Sequence, residues 1–285
     1  MSRPKKDEQI ELRQDMEKDL IGHTQEETYN SVTGTCGKGT VEYGEDKVLP
    51  GRIYNIDKMY YELKGFFWGV GMLDALRAME YMLRRHDRHY RDGGQPYAVH
   101  PLGMAIHAMQ LYSGYPKFIT EVLFKTIFLH DVREDEEREI QELPFDRESQ
   151  TNVDLMTVTR FKRDTKFSIK LRYAEGLCKN VTVVIAKLLD IINNLSSMVG
   201  IFPDQKIRKN IVEKDELFMS VFEKAQKDFG EASCLIEMLV DEVHRLLDIL
   251  ALVYGVKLRD ENFVNSPKSK NYAYLIGLDE VEQCV

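Results

Sequence analysis

Hydrophobic residues recur at helical spacing over most of the chain beyond about residue 65. The first such segment, FFWGVGMLDALRAMEYMLRRH, places six apolar residues on one broad face: Phe67, Val70, Leu73, Leu76, Met79 and Leu83. Prolines open two later segments, PLGMAIHAMQLY and PKFITEVLFKTIFLHD, as is typical of helix starts. Further helical patterns follow in FSIKLRYAEGL, VTVVIAKLLDIINNLSSM, 204–228 and 231–254. Long alternating strands are few, so the pattern predicts a mainly α helical bundle.

Both ends of the chain depart from this pattern. Residues 1–20 are polar with a thin apolar stripe, which suits an arm or a partner helix. Residues 28–56 are rich in Gly, Thr, Val and Tyr and predict a loop or a small β-hairpin. A phosphate loop is rejected there because Lys38 precedes Gly rather than Ser or Thr. We therefore divide the chain into an N-terminal extension (1–60), a helical domain (61–256) and a tail (257–285); within the domain, the charged stretch 135–152 is predicted to be a surface loop.

Composition narrows the class of protein. The 285 residues are 43% hydrophobic and 30% charged, which is ordinary for a globular chain with a real core. A formal charge of −8 argues against nucleic-acid binding but leaves a small anionic substrate open. Four scattered cysteines without CxxC spacing argue against a disulfide framework and a zinc knuckle. Neither a secretory signal nor an apolar run of about 20 residues is present, so we expect a cytoplasmic protein without a membrane partner.

Four side chains able to bind a metal stand in three separate apolar settings: His100, the pair His130-Asp131, and Asp190. Two imidazoles and two carboxylates suit manganese, iron or zinc better than calcium, which prefers oxygen ligands alone. A bound ion with an open position activates water. The set therefore predicts a metal-dependent hydrolase. Taken alone, a His before a Pro is more often structural than a metal ligand. The interpretation of His100 as a ligand therefore depends on the other three residues.

Two acids follow the His-Asp pair at helical spacing. Glu134 lies four residues after His130, and Asp135 lies four after Asp131. If the helix continues that far, each acid stacks beside a ligand, where it could orient or deprotonate a water molecule. The alternative is a solvated acidic run, which we accept for Glu136, Glu137 and Glu139. For Glu134 and Asp135 we favour the catalytic interpretation.

Asp190 lies in the middle of a strongly apolar helical segment, where an unpaired carboxylate is costly. A metal is one partner; among the alternatives, a buried ion pair with Lys187 or with an arginine elsewhere is stronger than an N-cap role, because Asp190 lies in mid-helix. Asn194, one turn later, is placed to bind substrate or a water. Upstream, the basic stretch from Arg84 to Arg91 is either a solvated helix end or a source of phosphate-binding arginines. His107 offers only a position on a helix face and is assigned to the core.

Three motifs in this order resemble those of the RelA/SpoT-type HD-domain hydrolases. RDGGQPYAVHP resembles the first motif of that family, FLHDVRED the HD motif with its two acids, and AKLLDIINNLSSM the motif with the last metal-binding Asp. Weaker similarity lies in RHDRHYR, where His86 takes the family's preceding His position, and in NVDLMTVTR. The resemblance covers roughly residues 75–200. Three motifs with intact internal spacing are far more specific than an HD doublet alone.

The resemblance implies an HD-type helical fold and a manganese-dependent 3′-pyrophosphohydrolase acting on guanosine alarmones. It implies these roles by position: metal binding by His100, His130, Asp131 and Asp190; water activation by Glu134 and Asp135; nucleotide binding by Arg91 and Asn194. Nothing after residue 200 resembles a synthetase or regulatory segment, which indicates a small alarmone hydrolase of the metazoan SpoT-homologue type. The chain departs from the family at Asp92, Ile191 and Asn193, positions that bear on substrate choice.

Three hypotheses follow. The first is an alarmone 3′-pyrophosphohydrolase with a small nucleotide substrate. The second is an HD phosphohydrolase for another nucleotide, such as a deoxynucleoside triphosphate, a dinucleotide or an adenine alarmone. The third is a non-catalytic interaction protein on the same scaffold, whose N-terminal extension docks a protein partner or a second copy. The complete ligand set ranks them in that order.

Overall fold

The computed structural model describes most of the helical part of the chain. The described residues are 55–91, 94–133, 143–157, 173, 176–199 and 202–258. The predicted arm at 1–20, the loop or hairpin over 28–54, and the tail beyond 258 lie outside them. Glu134, Asp135 and most of FSIKLRYAEGL also lie outside.

The described residues are mainly helical, which confirms the predicted fold class. Nine α-helices lie within these ranges: α1 Ile56–Val70, α2 Leu73–Arg85, α3 Val99–Leu111, α4 Glu121–Leu129, α5 Arg147–Met156, α6 Val181–Ser197, α7 Asp204–Glu213, α8 Met219–Asp228 and α9 Ser233–Tyr254. A π-helical turn, Lys214–Phe218, joins α7 to α8, and a 3₁₀ turn, Gly230–Ala232, precedes α9. Within the described ranges, β pairing is limited to one antiparallel bridge between Tyr90 and Pro96.

The first predicted helix is broken in two and starts earlier than predicted. Helix α1 begins at Ile56, and the chain turns at Gly71 with φ of +77°. Met72 N–H still bonds Phe67 O at 2.9 Å, which closes the end of α1. Glycine adopts this left-handed backbone region without strain, so a helix can end here. The apolar pattern continues across this helix end and therefore did not predict it.

Side-chain caps fix the starts of three helices. Thr120 Oγ accepts from Leu123 N–H at 3.3 Å at the start of α4. Asp146 Oδ1 accepts from Ser149 N–H at 2.9 Å at the start of α5, so a helix begins inside the stretch predicted to be a surface loop. Asn180 caps α6 in the same way. These caps satisfy backbone donors that the first helical turn leaves unpaired.

Helix α6 is central to the bundle. It packs against α3, α4, α5 and α9. The apolar residues between Val183 and Leu189 are all buried, and Lys187 is the one charged residue among them. Aromatic rings fill the space between α1 and α4, where Phe67 lies 4.9 Å from Phe124 and 6.0 Å from Phe128, centroid to centroid. A polar group on the inner faces of α3, α4 or α6 must therefore find its partners inside the protein.

Candidate metal centre

Three buried side chains from three helices converge at one point. His100 lies in the first turn of α3, His130 directly follows α4, and Asp190 lies within α6. One ligand atom from each lies within 4.8 Å of the others. Two nitrogens and one carboxylate oxygen at this spacing could hold a divalent metal ion of the manganese, iron or zinc type.

Asp131 lies at the open edge of this cluster. Its Oδ2 is 2.8 Å from His130 Nε2 and 3.8 Å from His100 Nε2. The side chain is 22% exposed, against 7% for Asp190. The Tyr97 hydroxyl donates a hydrogen bond to the same Oδ2. Asp131 is therefore the acid through which the cluster faces solvent, and its orientation depends on Tyr97.

The loop before α3 delivers Tyr97 and His100. Arg91 N–H bonds Gln95 O at 2.8 Å, and Tyr97 N–H bonds His89 O at 2.8 Å, so the chain doubles back on itself. Gly94 takes a φ of +77° in this turn. Helix α3 then starts with Pro101 in its first turn, a position where the missing N–H costs nothing. The turn-rich sequence thus places His100 at the helix start, as its pattern predicted.

The orientation of His130 directs one ring nitrogen into the cluster. Its Nδ1–H donates to Ile127 O at 2.7 Å, one turn back. Its buried Nε2 has no hydrogen bond of normal geometry among the described residues, although Asp131 Oδ2 lies close by. Buried polar atoms are rarely left without partners. A nitrogen aimed at two acids and another imidazole, without its own hydrogen bond, fits the role of a metal ligand.

Each oxygen of Asp190 has a partner. Oδ1 lies 3.1 Å from His100 Nε2 and accepts from Asn194 Nδ2 at 2.6 Å. Oδ2 lies 2.6 Å from Lys187 Nζ. The metal and ion-pair hypotheses for Asp190 are therefore compatible, because each uses a different oxygen.

Electrostatics keep both acids ionised. Burial alone raises the pKa of Asp190, but the Lys187 ammonium and His100 outweigh it and hold that pKa well below its ordinary value. Burial also raises the pKa of Asp131, while His130 and His100 lower it further than burial raises it. For His130, burial lowers the pKa, but Asp131 and then Asp190 raise it to about 9. A cation bound here would displace the Nε2 proton of His130, because a metal-binding imidazole must give up the proton on its ligating nitrogen.

The predicted substrate residues lie beside the cluster and contact each other. Arg91 donates to Asn194 Oδ1 at 2.7 Å and to Ser197 Oγ at 3.1 Å. Its guanidinium carbon lies 6.0 Å from the centre of the Phe202 ring. Because Asn194 also bonds Asp190, one amide links the cationic Arg91 to the candidate metal site. Glu134 and Asp135, the predicted water-activating acids, lie outside the described residues.

The sequence did not predict the roles of two residues, Tyr97 and Asn193. Tyr97 lies in the first motif, and Asn193 is a departure from the family pattern. In the structure Tyr97 bonds Asp131, and Asn193 Oδ1 lies 2.7 Å from His100 Nδ1. The assignment of His107 to the core was wrong: the side chain is 25% exposed, and its Nε2 lies 3.5 Å from Glu242 Oε2.

Comparison with known proteins finds a similarity to a bacterial hydrolase. The chain is 32% identical over 149 residues to a guanosine-3′,5′-bis(diphosphate) 3′-pyrophosphohydrolase from Spiroplasma citri. That match takes in 50% of this chain but 19% of the relative, so the chain spans about a fifth of the relative's length. No family model matches the chain. Among the described residues, none of the helices has both the length and the apolar character needed to cross a bilayer.

Proposed function

We propose that the protein is a metal-dependent nucleotide phosphohydrolase of the RelA/SpoT HD type. The favoured reaction is removal of pyrophosphate from the 3′ position of guanosine 3′,5′-bis(diphosphate). The observation that carries the proposal is the convergence of His100, His130 and Asp190, which are buried together from three helices. The similarity to a relative named for this activity supports the substrate class.

In this proposal the metal ligands are His100, His130, Asp131 and Asp190. A bound divalent ion, with Mn²⁺ favoured, supplies the charge that polarises a phosphoryl group and acidifies water. Tyr97 orients Asp131, and Lys187 occupies the Asp190 oxygen that faces away from the imidazoles. Both contacts keep the acids from rotating and leave the set arranged before substrate arrives.

Arg91 and Asn194 are proposed to hold the nucleotide. Arg91 is fixed by two hydrogen bonds and offers further N–H donors, which suit a phosphate group. Asn194 stands between Arg91 and Asp190, so a phosphate bound by Arg91 lies close to the candidate metal site. On the grounds of their spacing alone, Glu134 and Asp135 are proposed to receive the proton of the attacking water.

A second candidate function is hydrolysis of a different nucleotide by the same site. Ile191 stands where the resembling family has an arginine, and it is fully buried here. Asn193, another departure, contacts His100. These two departures from the family pattern keep a different base or phosphate arrangement of the substrate open. The third hypothesis, a non-catalytic interaction protein, has no comparable support from the buried ligand set.

The division of the chain remains part of the proposal. The helical hydrolase domain spans 61–256, preceded by an extension, 1–60, and followed by a tail, 257–285. The extension is proposed to serve a protein partner or a second copy of the chain. Size-exclusion chromatography with light scattering on the full chain and on a form lacking 1–54, which keeps α1 intact, would test the second-copy alternative. A dimer of the full chain that is lost in the shorter form is the expected result.

One experiment separates the candidate functions. The purified protein is incubated with Mn²⁺ and a panel of guanine and adenine alarmones, deoxynucleoside triphosphates and dinucleotides. Asp190→Asn, which keeps the side-chain shape, should abolish turnover, whereas Asp74→Asn on the exposed surface should not. Pyrophosphate release from guanosine tetraphosphate supports the first function, and turnover of another nucleotide alone supports the second. Absence of metal-dependent turnover across the panel would overturn both.

A further inference from the structure

We propose that Asn193 is a positioning residue that holds His100 in the tautomer able to bind a cation, and that Gly103 provides the space for it. The inference rests on the proposed metal centre. It adds two residues to that centre that do not touch the cation themselves. Both come from the contact between α3 and α6.

The two nitrogens of His100 have different surroundings. Nδ1 lies 2.7 Å from Asn193 Oδ1, and Nε2 lies 3.1 Å from Asp190 Oδ1. His100 is buried, with 2% of its surface exposed, so neither nitrogen can rely on bulk water. The protein groups beside the two nitrogens therefore determine which of them carries the proton of the neutral ring.

The amide of Asn193 determines the tautomer of His100. Its carbonyl oxygen only accepts, so the hydrogen bond requires a proton on His100 Nδ1. A cation would then bind at Nε2, in place of the proton that the 3.1 Å contact between Nε2 and Asp190 Oδ1 needs in the metal-free protein. If the amide were reversed, its NH₂ group would donate to Nδ1 and the proton would move to Nε2. In that arrangement Nε2 would keep its proton and have no lone pair for a cation. The orientation of one amide therefore decides whether His100 can be a ligand through Nε2.

Gly103 lies next to this amide inside α3. A Cβ built at Gly103 would lie 2.6 Å from Asn193 Nδ2 and 3.7 Å from Asn193 Cγ. The first distance is too short for any real contact, and the amide has little freedom because its oxygen is held by His100. Glycine within a helix costs about 1 kcal/mol relative to alanine. The approach of the Asn193 amide provides a physical reason for glycine at this position.

Other helical glycines show that this approach is specific. Gly65 and Gly69 in α1 have no atom within 4 Å of a built Cβ, so alanine fits at either site. Gly65→Ala is therefore a matched control for Gly103→Ala. Both changes add one methyl group to a helix interior, and only the second displaces Asn193.

The test combines Mn²⁺ affinity with the tautomer of His100. Isothermal titration with Mn²⁺ is run on the full chain and on Asn193→Leu, Asn193→Asp, Gly103→Ala and Gly65→Ala. Asn193→Leu removes the acceptor and should weaken Mn²⁺ binding by about 10- to 100-fold, the usual effect of losing the partner of a ligating imidazole. Asn193→Asp keeps an acceptor and should retain binding. Gly103→Ala should weaken binding, and Gly65→Ala should leave it unchanged.

The tautomer supplies a readout that a purely structural role would not affect. In the metal-free chain, ¹⁵N chemical shifts of the His100 ring should report a proton on Nδ1, with or without one on Nε2, and in Asn193→Leu the proton on Nδ1 should be lost. A protonated Nε2 with bare Nδ1 in the natural chain would overturn the inference. So would unchanged Mn²⁺ affinity in both Asn193→Leu and Gly103→Ala. Failure of the natural chain to bind Mn²⁺ would instead refute the proposed metal centre, while the ¹⁵N shifts would still decide the role of Asn193. If Asn193→Leu does not fold, Gly103→Ala and Asn193→Asp test the same contact.

Discussion

Lys187 and Asp190 form an ion pair within α6, with Lys187 Nζ 2.6 Å from Asp190 Oδ2. The two side chains are three residues apart, so they meet on one face of the helix. Burial lowers the pKa of Lys187. The Asp190 carboxylate and, to a smaller extent, Tyr173 outweigh burial and raise that pKa above its ordinary value. The pair leaves Asp190 Oδ1 directed at His100. One lysine thereby fixes which oxygen of the carboxylate faces the candidate metal site.

Replacing Lys187 with methionine should destabilise the metal-free protein. The change leaves a buried carboxylate without its main cationic partner, which costs about 3 kcal/mol in comparable cases. Added Mn²⁺ should then raise the melting temperature more in Lys187→Met than in the natural chain, because the cation replaces the missing positive charge. Differential scanning fluorimetry with and without Mn²⁺ measures both effects. Lys179→Met, at an exposed site, is the control, and equal Mn²⁺ shifts in all three proteins would contradict the argument.

Contacts within one helix were accessible from the sequence, as the Lys187–Asp190 pair illustrates. A spacing of three or four residues determines which side chains share a helix face. The sequence therefore predicts Lys187 as one of several candidate partners for Asp190, beside a metal ion and an arginine elsewhere. The mainly helical class was predictable for the same reason, since the periodic apolar faces extend over many turns.

Contacts between helices were not accessible in this way. Asn193 and His100 are 93 residues apart, and Tyr97 and Asp131 are 34 apart. Their meeting depends on how α3 packs against α6 and on the path of the loop before α3, which local spacing does not encode. The end of α1 at Gly71 was missed for a different reason: the apolar pattern runs through the break, and only the backbone angle reveals it.

Replacing Tyr97 with phenylalanine should impair catalysis with little loss of stability. The ring would keep its packing against His86, 4.6 Å away between centroids, while the hydrogen bond to Asp131 would be lost. We expect Mn²⁺ affinity or turnover to fall about 10-fold, the lower end of the range for groups that orient metal ligands. Titration with Mn²⁺ and steady-state kinetics measure this. Tyr81→Phe, which keeps its ring beside Phe145, should behave like the natural chain. A Tyr97→Phe protein with normal affinity and turnover would refute the role given to Tyr97.

Replacing Arg91 should weaken substrate binding. Arg91→Lys keeps a charge but loses the fork that bonds both Asn194 and Ser197. If Arg91 binds substrate in the ground state and the transition state alike, KM rises about 10-fold or more while kcat stays nearly constant. Ser197→Ala removes one of the two bonds and should raise KM less. Kinetics with the nucleotide found in the panel provide the measurement, and a fall in kcat at constant KM would place Arg91 in the chemical step instead.

Asp146 joins two elements through one carboxylate. Its Oδ1 caps α5 by accepting from Ser149 N–H at 2.9 Å, and its Oδ2 accepts from Lys125, a buried residue of α4. Burial raises the pKa of Asp146, but the hydrogen bonds from Lys125 and Ser149 together outweigh burial and lower that pKa from 3.8 to about 2. A depressed carboxyl pKa in the folded state stabilises the protein above the unfolded pKa. That contribution is present above the unfolded pKa of 3.8, and it is lost progressively as the pH falls from there through about 2.

Asp146→Asn should therefore lower the free energy of unfolding at pH 7, and the difference from the natural chain should shrink between pH 4 and pH 2. Asparagine still caps the helix, so the loss reports the charge left on Lys125. We expect about 1–2 kcal/mol, below the 3–5 kcal/mol of a fully buried pair, because the Asp146 side chain is 44% exposed. Urea denaturation across this pH range measures the difference. The double variant Lys125→Met with Asp146→Asn removes the buried charge and should recover most of the stability at pH 7. A difference that does not change with pH would show that the helix cap, rather than the ion pair, is what the substitution disturbs.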